Sequence, residues 1–364
     1  MNQSITNRQI AFMIFGVVVG FGILGLPKGI AEEYGTAAWF GILVGTIIAI
    51  IFTYIVTYLG YHNEGKTLYE YSEELVGKTI TYIFMAFYIV YFFLFFTYVI
   101  RMASDVIRLT ILINTPTIAL CIIFYIVMYY ALIKGLRGIA RLCEFYGVII
   151  ILGYLFIYFI LASQGRVINI RPFFGTGEIS QYLKLPIATL VPYVGIEIVT
   201  FIPLKKDKNK KVFKYTTLMV AFIGILYMIV VEACISVIGI DDIVHYRDAL
   251  IATIRRVDVH WLEFFERPDG LFLSLWIMSV FLTVTILGYG TVIFTNKIFR
   301  KINYNFLALI ILIISLIASQ LPKTFDQVQY LIDLSGYIGL GPIIIIPLIL
   351  LIAMKFKRKN KKSN

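Results

Sequence analysis

Gly20-Phe21-Gly22-Ile23-Leu24-Gly25-Leu26-Pro27 lies in the middle and outer part of one apolar run. Leu185-Pro186-Ile187-Ala188-Thr189-Leu190-Val191-Pro192-Tyr193-Val194-Gly195-Ile196-Glu197, followed by Pro203, lies in another. Each run is long enough to cross a bilayer, and each is punctuated by residues that break helices. Glycine costs roughly 1 kcal/mol in a helix interior, and proline removes a backbone donor. Amides and carbonyls freed at membrane depth are tolerated only where protein or a water-lined cavity satisfies them. The pair therefore predicts two helices unwound at mid-membrane. Gly20, Gly22 and Gly25 also spell the G-x-G-x-x-G pattern of dinucleotide sites. That pattern needs a preceding strand and an acidic residue about 20 positions on, and this one sits inside an apolar run. For the first run alone, close helix packing through small residues is a competing reading.

The surroundings are those of a membrane protein. Of 364 residues, 60% are hydrophobic and 15% charged, against roughly 25% charged in soluble domains. So few charges cannot cover a water-facing surface. Ten spans of about 20 residues, the length that crosses roughly 30 Å of hydrocarbon, are read at about 9–31, 37–60, 80–102, 117–134, 144–163, 183–204, 214–239, 270–295, 304–320 and 336–354. They are numbered 1 to 10 below. The first is too long for a signal-peptide core and lacks a cleavage pattern. Segments 61–79 and 240–269 are the longest stretches between spans, and neither is large enough for a second domain.

Charge placement predicts orientation. With the N-terminus inside, 21 of the 32 Lys and Arg residues fall on the cytoplasmic side, six of them in the tail 355–364. This is the bias of the positive-inside rule, and it places both termini in the cytoplasm. The tail suits anionic lipid head groups, or serves simply as a solvated flank. The net charge of +11 does not point to nucleic acid, because the basic residues form short clusters between apolar runs rather than a basic face with interleaved aromatics. Segment 240–269 repeats apolar residues (Ile243, Leu250, Ile254, Val257, Trp261, Leu262, Phe265) every three or four positions between charges. It reads as an interfacial amphipathic helix or as a docking surface for another protein.

Spans 1 and 6 hold equivalent positions if ten helices divide into two sets of five, 9–163 and 183–354. A five-helix set must insert inverted the second time, because five is odd. Paired interrupted helices at matching positions point to a transporter-type ligand site at the midplane, where half-helix N-termini would meet an anionic group of the ligand. Other polar residues lie at membrane depth. Glu197 and Glu232 are costly there and call for a cavity or a partner; Glu197 fits either a pocket network or a structural bond to freed backbone. Ser279 and Thr283 share a face of span 8 and suit a cation, a ligand or back-bonding to the carbonyl four residues earlier. Arg101, Asp105 and Arg108 have the spacing of a helix-face ion pair. Tyr88, Tyr91, Phe95 and Tyr98 form an aromatic stripe on span 3 that suits packing or a pocket wall. Three histidines (His62, His245, His260), all between spans, and three cysteines (Cys121, Cys143, Cys234) without a C-x-x-C pair offer no enzyme or metal chemistry. No cofactor is expected.

Several of these stretches together resemble the spore germination permeases, the B subunits of nutrient germinant receptors. Glu266-Arg267-Pro268-Asp269-Gly270-Leu271 through Trp276, then Thr283 and Gly288-Tyr289, is similar to one region of that family. Gly20 through Pro27 and Lys28 is similar to its first-helix motif. Val194-Gly195-Ile196-Glu197 through Phe201-Ile202-Pro203 is similar to its sixth-helix segment, and the Asn169-Ile170-Arg171-Pro172 turn also fits. The resemblance implies an amino acid–polyamine–organocation fold of two inverted five-helix repeats, in the inner membrane of a bacterial spore. It implies a small nutrient ligand such as an L-amino acid, held between helices 1, 3, 6 and 8, and complex formation with separate A and C subunits. The positions it assigns to the ligand are Gly20, Gly22, Phe95, Val194, Thr283 and Leu287. The residues themselves add Gly25 and Gly195 at the breaks, Glu197, Tyr98 and Tyr289 as a gating or polar network, and Ser279 with Thr283 as a cation option. Amino acid transport is the rival reading. Span 5 lacks the mid-membrane lysine that some proton-coupled relatives of that superfamily use, which leans toward sensing.

Overall fold

The computed structural model describes residues 5–174, 189–257 and 268–363, and the described residues contain helices and no strand. Span 1 is Asn7–Gly22, a three-residue turn, and Leu26–Tyr34. It starts on a reciprocal cap, with Gln9 N–H donating to the Thr6 hydroxyl and Thr6 N–H to the Gln9 side chain, which satisfies two of the amides a helix start leaves open. Span 2 is Ala38–His62 and span 3 Lys78–Thr110. Spans 4 and 5 form one run, Thr117–Gln164, bent at Gly135 with φ 72° and ψ −178°. Span 7 is Val212–Ile238, span 8 Pro268–Ile298 and span 9 Tyr304–Ser319. Span 10 is Phe325–Leu340, one π turn over Gly341–Ile345, and a helix continuing from Ile346.

Two segments between spans are also helical. Leu68–Val76 begins on a Thr67–Glu70 capping box. Ile240–Ile243 and Ala249–Arg256 occupy the segment read as interfacial. There the structure corrects the sequence reading: Leu250 and Ile254 are 0% and 1% exposed, so the apolar face of Ala249–Arg256 is spent on the protein body and not on a bilayer surface. Trp261, Leu262 and Phe265 of that segment lie outside the described residues, as do Glu266 and Arg267 of the family-like motif and the first part of span 6.

Spans 1, 3 and 8 and the described part of span 6 form the centre of the bundle. Spans 1 and 8 cross so closely at Gly20 that a Cβ there would stand 2.6 Å from the Ser279 carbonyl oxygen and collide with the Thr283 hydroxyl. Close backbone approach through small residues is how helices associate in lipid, where no hydrophobic force draws them together. On the periphery, Ile122, Ile126, Leu152 and Phe159 of spans 4 and 5 are exposed. Contiguous apolar surface of this kind needs a cover, and helices of this length and composition take it from lipid. The chain is an integral membrane protein.

Candidate functional site

Span 6 is the more broken of the two interrupted helices. A 3-10 turn over Val191–Tyr193 ends in Val194 with extended backbone (φ −58°, ψ 125°). Gly195 follows at φ 121°, and Ile196–Phe201 resumes as a 3-10 helix. A positive φ of this size suits only glycine, and a Cβ at Gly195 would also strike the Val17 side chain of span 1. The break is held by Glu197, which is fully buried. One carboxylate oxygen accepts from Gly195 N–H at 2.9 Å and the other from the Tyr91 hydroxyl of span 3 at 2.9 Å. Polar groups this deeply buried are tolerated when hydrogen-bond partners meet them in this way.

The interruption in span 1 is milder. Ile23 (φ −69°, ψ −27°) and Gly25 (φ −90°, ψ −12°) keep right-handed backbone, and the half-helix from Leu26 starts with no side-chain cap. Tyr227 of span 7 ties the first half of span 1 to the break in span 6. Its hydroxyl donates to the Val18 carbonyl at 2.9 Å and lies 3.3 Å from the Pro192 carbonyl.

Between the two interruptions lies a cavity of about 600 Å³, within the range of about 300–1,000 Å³ typical of small-molecule sites. Gly22 and Gly25 of span 1, Val194 of span 6 and Phe95 of span 3 line it, and the Phe21 and Phe95 rings meet edge to face at 5.7 Å in its wall. Gly20, Gly195, Thr283 and Leu287 are not among the lining residues. Gly20 and Gly195 serve the close approaches described above, and Leu287 is buried in span 8. The Thr283 hydroxyl lies 2.8, 3.3 and 3.2 Å from the carbonyl oxygens of Gly16, Val17 and Ser279, and the Ser279 hydroxyl accepts from Tyr154 at 3.3 Å. Among the described hydrogen bonds, neither Tyr98 nor Tyr289 reaches Glu197. Tyr289 instead places its ring 5.7 Å from that of Phe201 and 6.4 Å from that of Tyr304.

Part of the cavity comes from places that hydropathy does not flag. Phe325, Gln329, Ile332, Asp333 and Tyr337 of span 10 line it, as do Arg247 and Asp248. The spacing of three to four residues from Phe325 to Tyr337, behind a Thr324–Gln327 capping box, was the available signal: a helix start followed by one polar face. Arg247 closes part of the mouth, donating to Asp326 at 2.6 Å with its guanidinium 4.3 Å from the centre of the Phe325 ring. Burial raises the Asp248 carboxyl above its ordinary range against the opposing pull of Arg247 and Arg255.

The remaining polar groups at depth are structural. Glu232 accepts from Trp39 N–H at 3.1 Å, so it caps the start of span 2 from the neighbouring span 7 and places a carboxylate at a helix N-terminus, where the backbone dipole favours it. Arg101 pairs with Asp105 at 2.9 Å and donates to the Ser319 carbonyl at the end of span 9 at 2.9 Å, while Asp105 accepts from Thr117 at the start of span 4 at 2.9 Å. Arg108 is exposed and outside this cluster.

An all-helical bundle with a cavity beside two interrupted helices is an architecture found among transporters of known structure. Two solved structures share the fold. A Na+-coupled sialic acid symporter in a substrate-bound outward-open state matches with a TM-score of 0.68 over 93% of this chain and 77% of its own, at 12% identity. MHP1, a nucleobase-cation-symport-1 family transporter in a closed conformation with bromovinylhydantoin bound, matches with a TM-score of 0.65 over 94% and 79%, at 13% identity. The chain belongs to the spore germination protein family of spore permeases, whose model matches residues 4–328. From Bacillus subtilis (strain 168), spore germination protein YndE is 25% identical over 99% of both chains. Spore germination protein KB is 28% identical over 99% of this chain and 97% of its own, and spore germination protein A2 26% identical over 95% and 94%.

Proposed function

We propose that this chain is the membrane-embedded B-type subunit of a germinant receptor, binding a small nutrient, in the first instance an L-amino acid, in the cavity between spans 1 and 6. One observation carries the reading. Both helix-breaking motifs contribute to the cavity lining, and two of the lining residues in the first, Gly22 and Gly25, have no side chain to screen the backbone from a guest. Glycines at that depth admit a ligand's carboxylate to uncapped amides, and Phe95 with Phe21 would take the side chain. Two inverted five-helix repeats, 9–163 and 183–354, give the bundle two bodies that ligand can bias against each other. Signalling passes to separate A and C subunits, in the inner membrane of the spore, with both termini cytoplasmic as the charge placement favours.

The test uses spores whose receptor carries Gly22→Leu. A Cβ at Gly22 meets ordinary contacts of 3.6 Å and more, so the chain accommodates it while the rest of the side chain enters the cavity. Germination in response to a panel of L-amino acids is lost while the protein remains at wild-type abundance in spore membranes. An undiminished response would mean that the ligand binds elsewhere or that the subunit is a scaffold.

Cation-coupled or facilitative amino acid transport is the second reading, favoured by the three carbonyl oxygens around Thr283, since hard cations take oxygen ligands. Uptake of labelled amino acid into proteoliposomes that depends on a sodium or proton gradient and is abolished by Thr283→Val would establish it. Germination loss without uptake loss would favour sensing.

A further inference from the structure

A second cleft, of about 470 Å³, lies at the opposite end of the bundle from Arg247, where the start of span 3 meets the end of span 8. Its lining includes Lys78, Lys297, Arg300 and Lys301. Lys297 is neutralised by its ion pair with Glu70. That leaves Lys78, Arg300 and Lys301, none of which makes an ion pair among the described residues, against the single lining carboxylate of Glu73. The cations are positioned rather than loose. The Arg300 guanidinium stands 5.5 Å over the ring of Tyr69, which is 2% exposed, and the Lys78 ammonium 5.8 Å over the ring of Tyr82. Lys78 is also the first residue of a helix with no side-chain cap, so backbone amides open toward the same anionic charge.

Helix length and charge together set the depth of this cleft. Span 3 has 33 residues and is about 50 Å long at 1.5 Å per residue, against roughly 30 Å of hydrocarbon. The cluster of Lys78, Lys297, Arg300 and Lys301 sets this end of it at the head groups. Two of the cleft's lining residues, Tyr82 and Phe299, are exposed large apolar side chains. A cationic cleft bordered by exposed apolar side chains suits a ligand with a phosphate and acyl chains. We infer that Lys78, Arg300 and Lys301 hold the phosphate of one anionic phospholipid, whose chains lie along Tyr82 and Phe299. The site grips the same helix that carries Phe95 into the nutrient cavity.

Native mass spectrometry of the full-length protein in zwitterionic micelles tests this, with phosphatidylglycerol titrated in and phosphatidylcholine as the neutral comparison. The wild-type chain takes up one phosphatidylglycerol in preference to phosphatidylcholine. Each of Lys78→Gln, Arg300→Gln and Lys301→Gln weakens that uptake about fivefold, from about 1 kcal/mol per basic residue at a membrane surface. Lys301 is exposed, so its variant keeps the test valid if Arg300→Gln disturbs folding. The triple Lys206→Gln, Lys210→Gln, Lys211→Gln removes three charges from another exposed basic segment, more than any of these single variants, and leaves uptake within twofold of wild type. The proposal is overturned if that control loses as much, if phosphatidylcholine binds equally, or if glycerol 1-phosphate binds as tightly as the lipid, which would make the cleft a site for soluble phosphate.

Discussion

The interruptions in spans 1 and 6 use the same helix-breaking residues and are built in opposite ways. Span 6 leaves helical geometry completely, at Val194 and Gly195, and its own Glu197 turns back to occupy the amide that the break frees. Span 1 keeps right-handed backbone through Ile23 and Gly25 and restarts at Leu26 with no side chain across its open end. The packing around the two glycines explains the contrast. Gly195 is wedged against Val17, whereas a Cβ at Gly25 would find nothing within 4 Å. Span 6 is therefore the fixed wall of the cavity and span 1 the side with uncommitted backbone.

The largest expected effect falls on the fixed wall. Gly195→Ala forces a side chain into left-handed backbone at about 1–2 kcal/mol and into contact with Val17 at about 1–3 kcal/mol. A destabilisation of about 4 kcal/mol should appear as loss of monodisperse protein in detergent; an Ala variant that purifies and melts normally would show that the break is not rigid. Next is Glu197→Ala, which strands the Gly195 amide and the Tyr91 hydroxyl and costs about 2–3 kcal/mol. Glu197→Gln keeps an acceptor and should cost about half as much. Unfolding of the two variants in mixed micelles ranks them, and equal losses would mean that the carboxylate's charge matters more than its bonds. Tyr227→Phe removes one hydroxyl tying span 1 to the break in span 6, for about 1 kcal/mol. The same unfolding assay should place it well below Glu197→Ala; a loss as large as that of Glu197→Ala would make the bridge, rather than the carboxylate, the main tie. The smallest effect has the opposite sign. Gly25→Ala, at right-handed backbone with free space, should stabilise by about 0.5–1 kcal/mol, read as a rise in melting temperature, and a fall would reveal that the turn needs glycine's freedom after all.

Much of this was legible in sequence because hydropathy and helix-breaking residues are local signals. The ten apolar runs appear as helices, with span 6 seen only in its described part. Gly22, Gly25, Phe95 and Val194, chosen from motifs, meet at one cavity. Partners distant in sequence were not legible. Nothing near Glu197 announces Tyr91, 106 positions away, and nothing near Glu232 announces the amide of Trp39. The outer part of span 10 was missed for a different reason. A helix that turns Gln329 and Asp333 toward an internal cavity lowers its own average hydropathy, so a window tuned to lipid-facing helices starts the span at 336 rather than at Phe325.

The aromatic stripe on span 3 does more than fill space. Tyr88 donates to the Pro342 carbonyl in the π turn of span 10 at 2.9 Å, and Tyr91 donates to Glu197 in the break of span 6 at 2.9 Å. Phe95, one turn beyond, faces the cavity. Three successive rungs on one helix thus touch the cavity and the two least regular points of its neighbours. Tied in this way, one helix is the common support of the cavity wall, the break in span 6 and the π turn of span 10, so displacing it strains bonds at both irregular points at once.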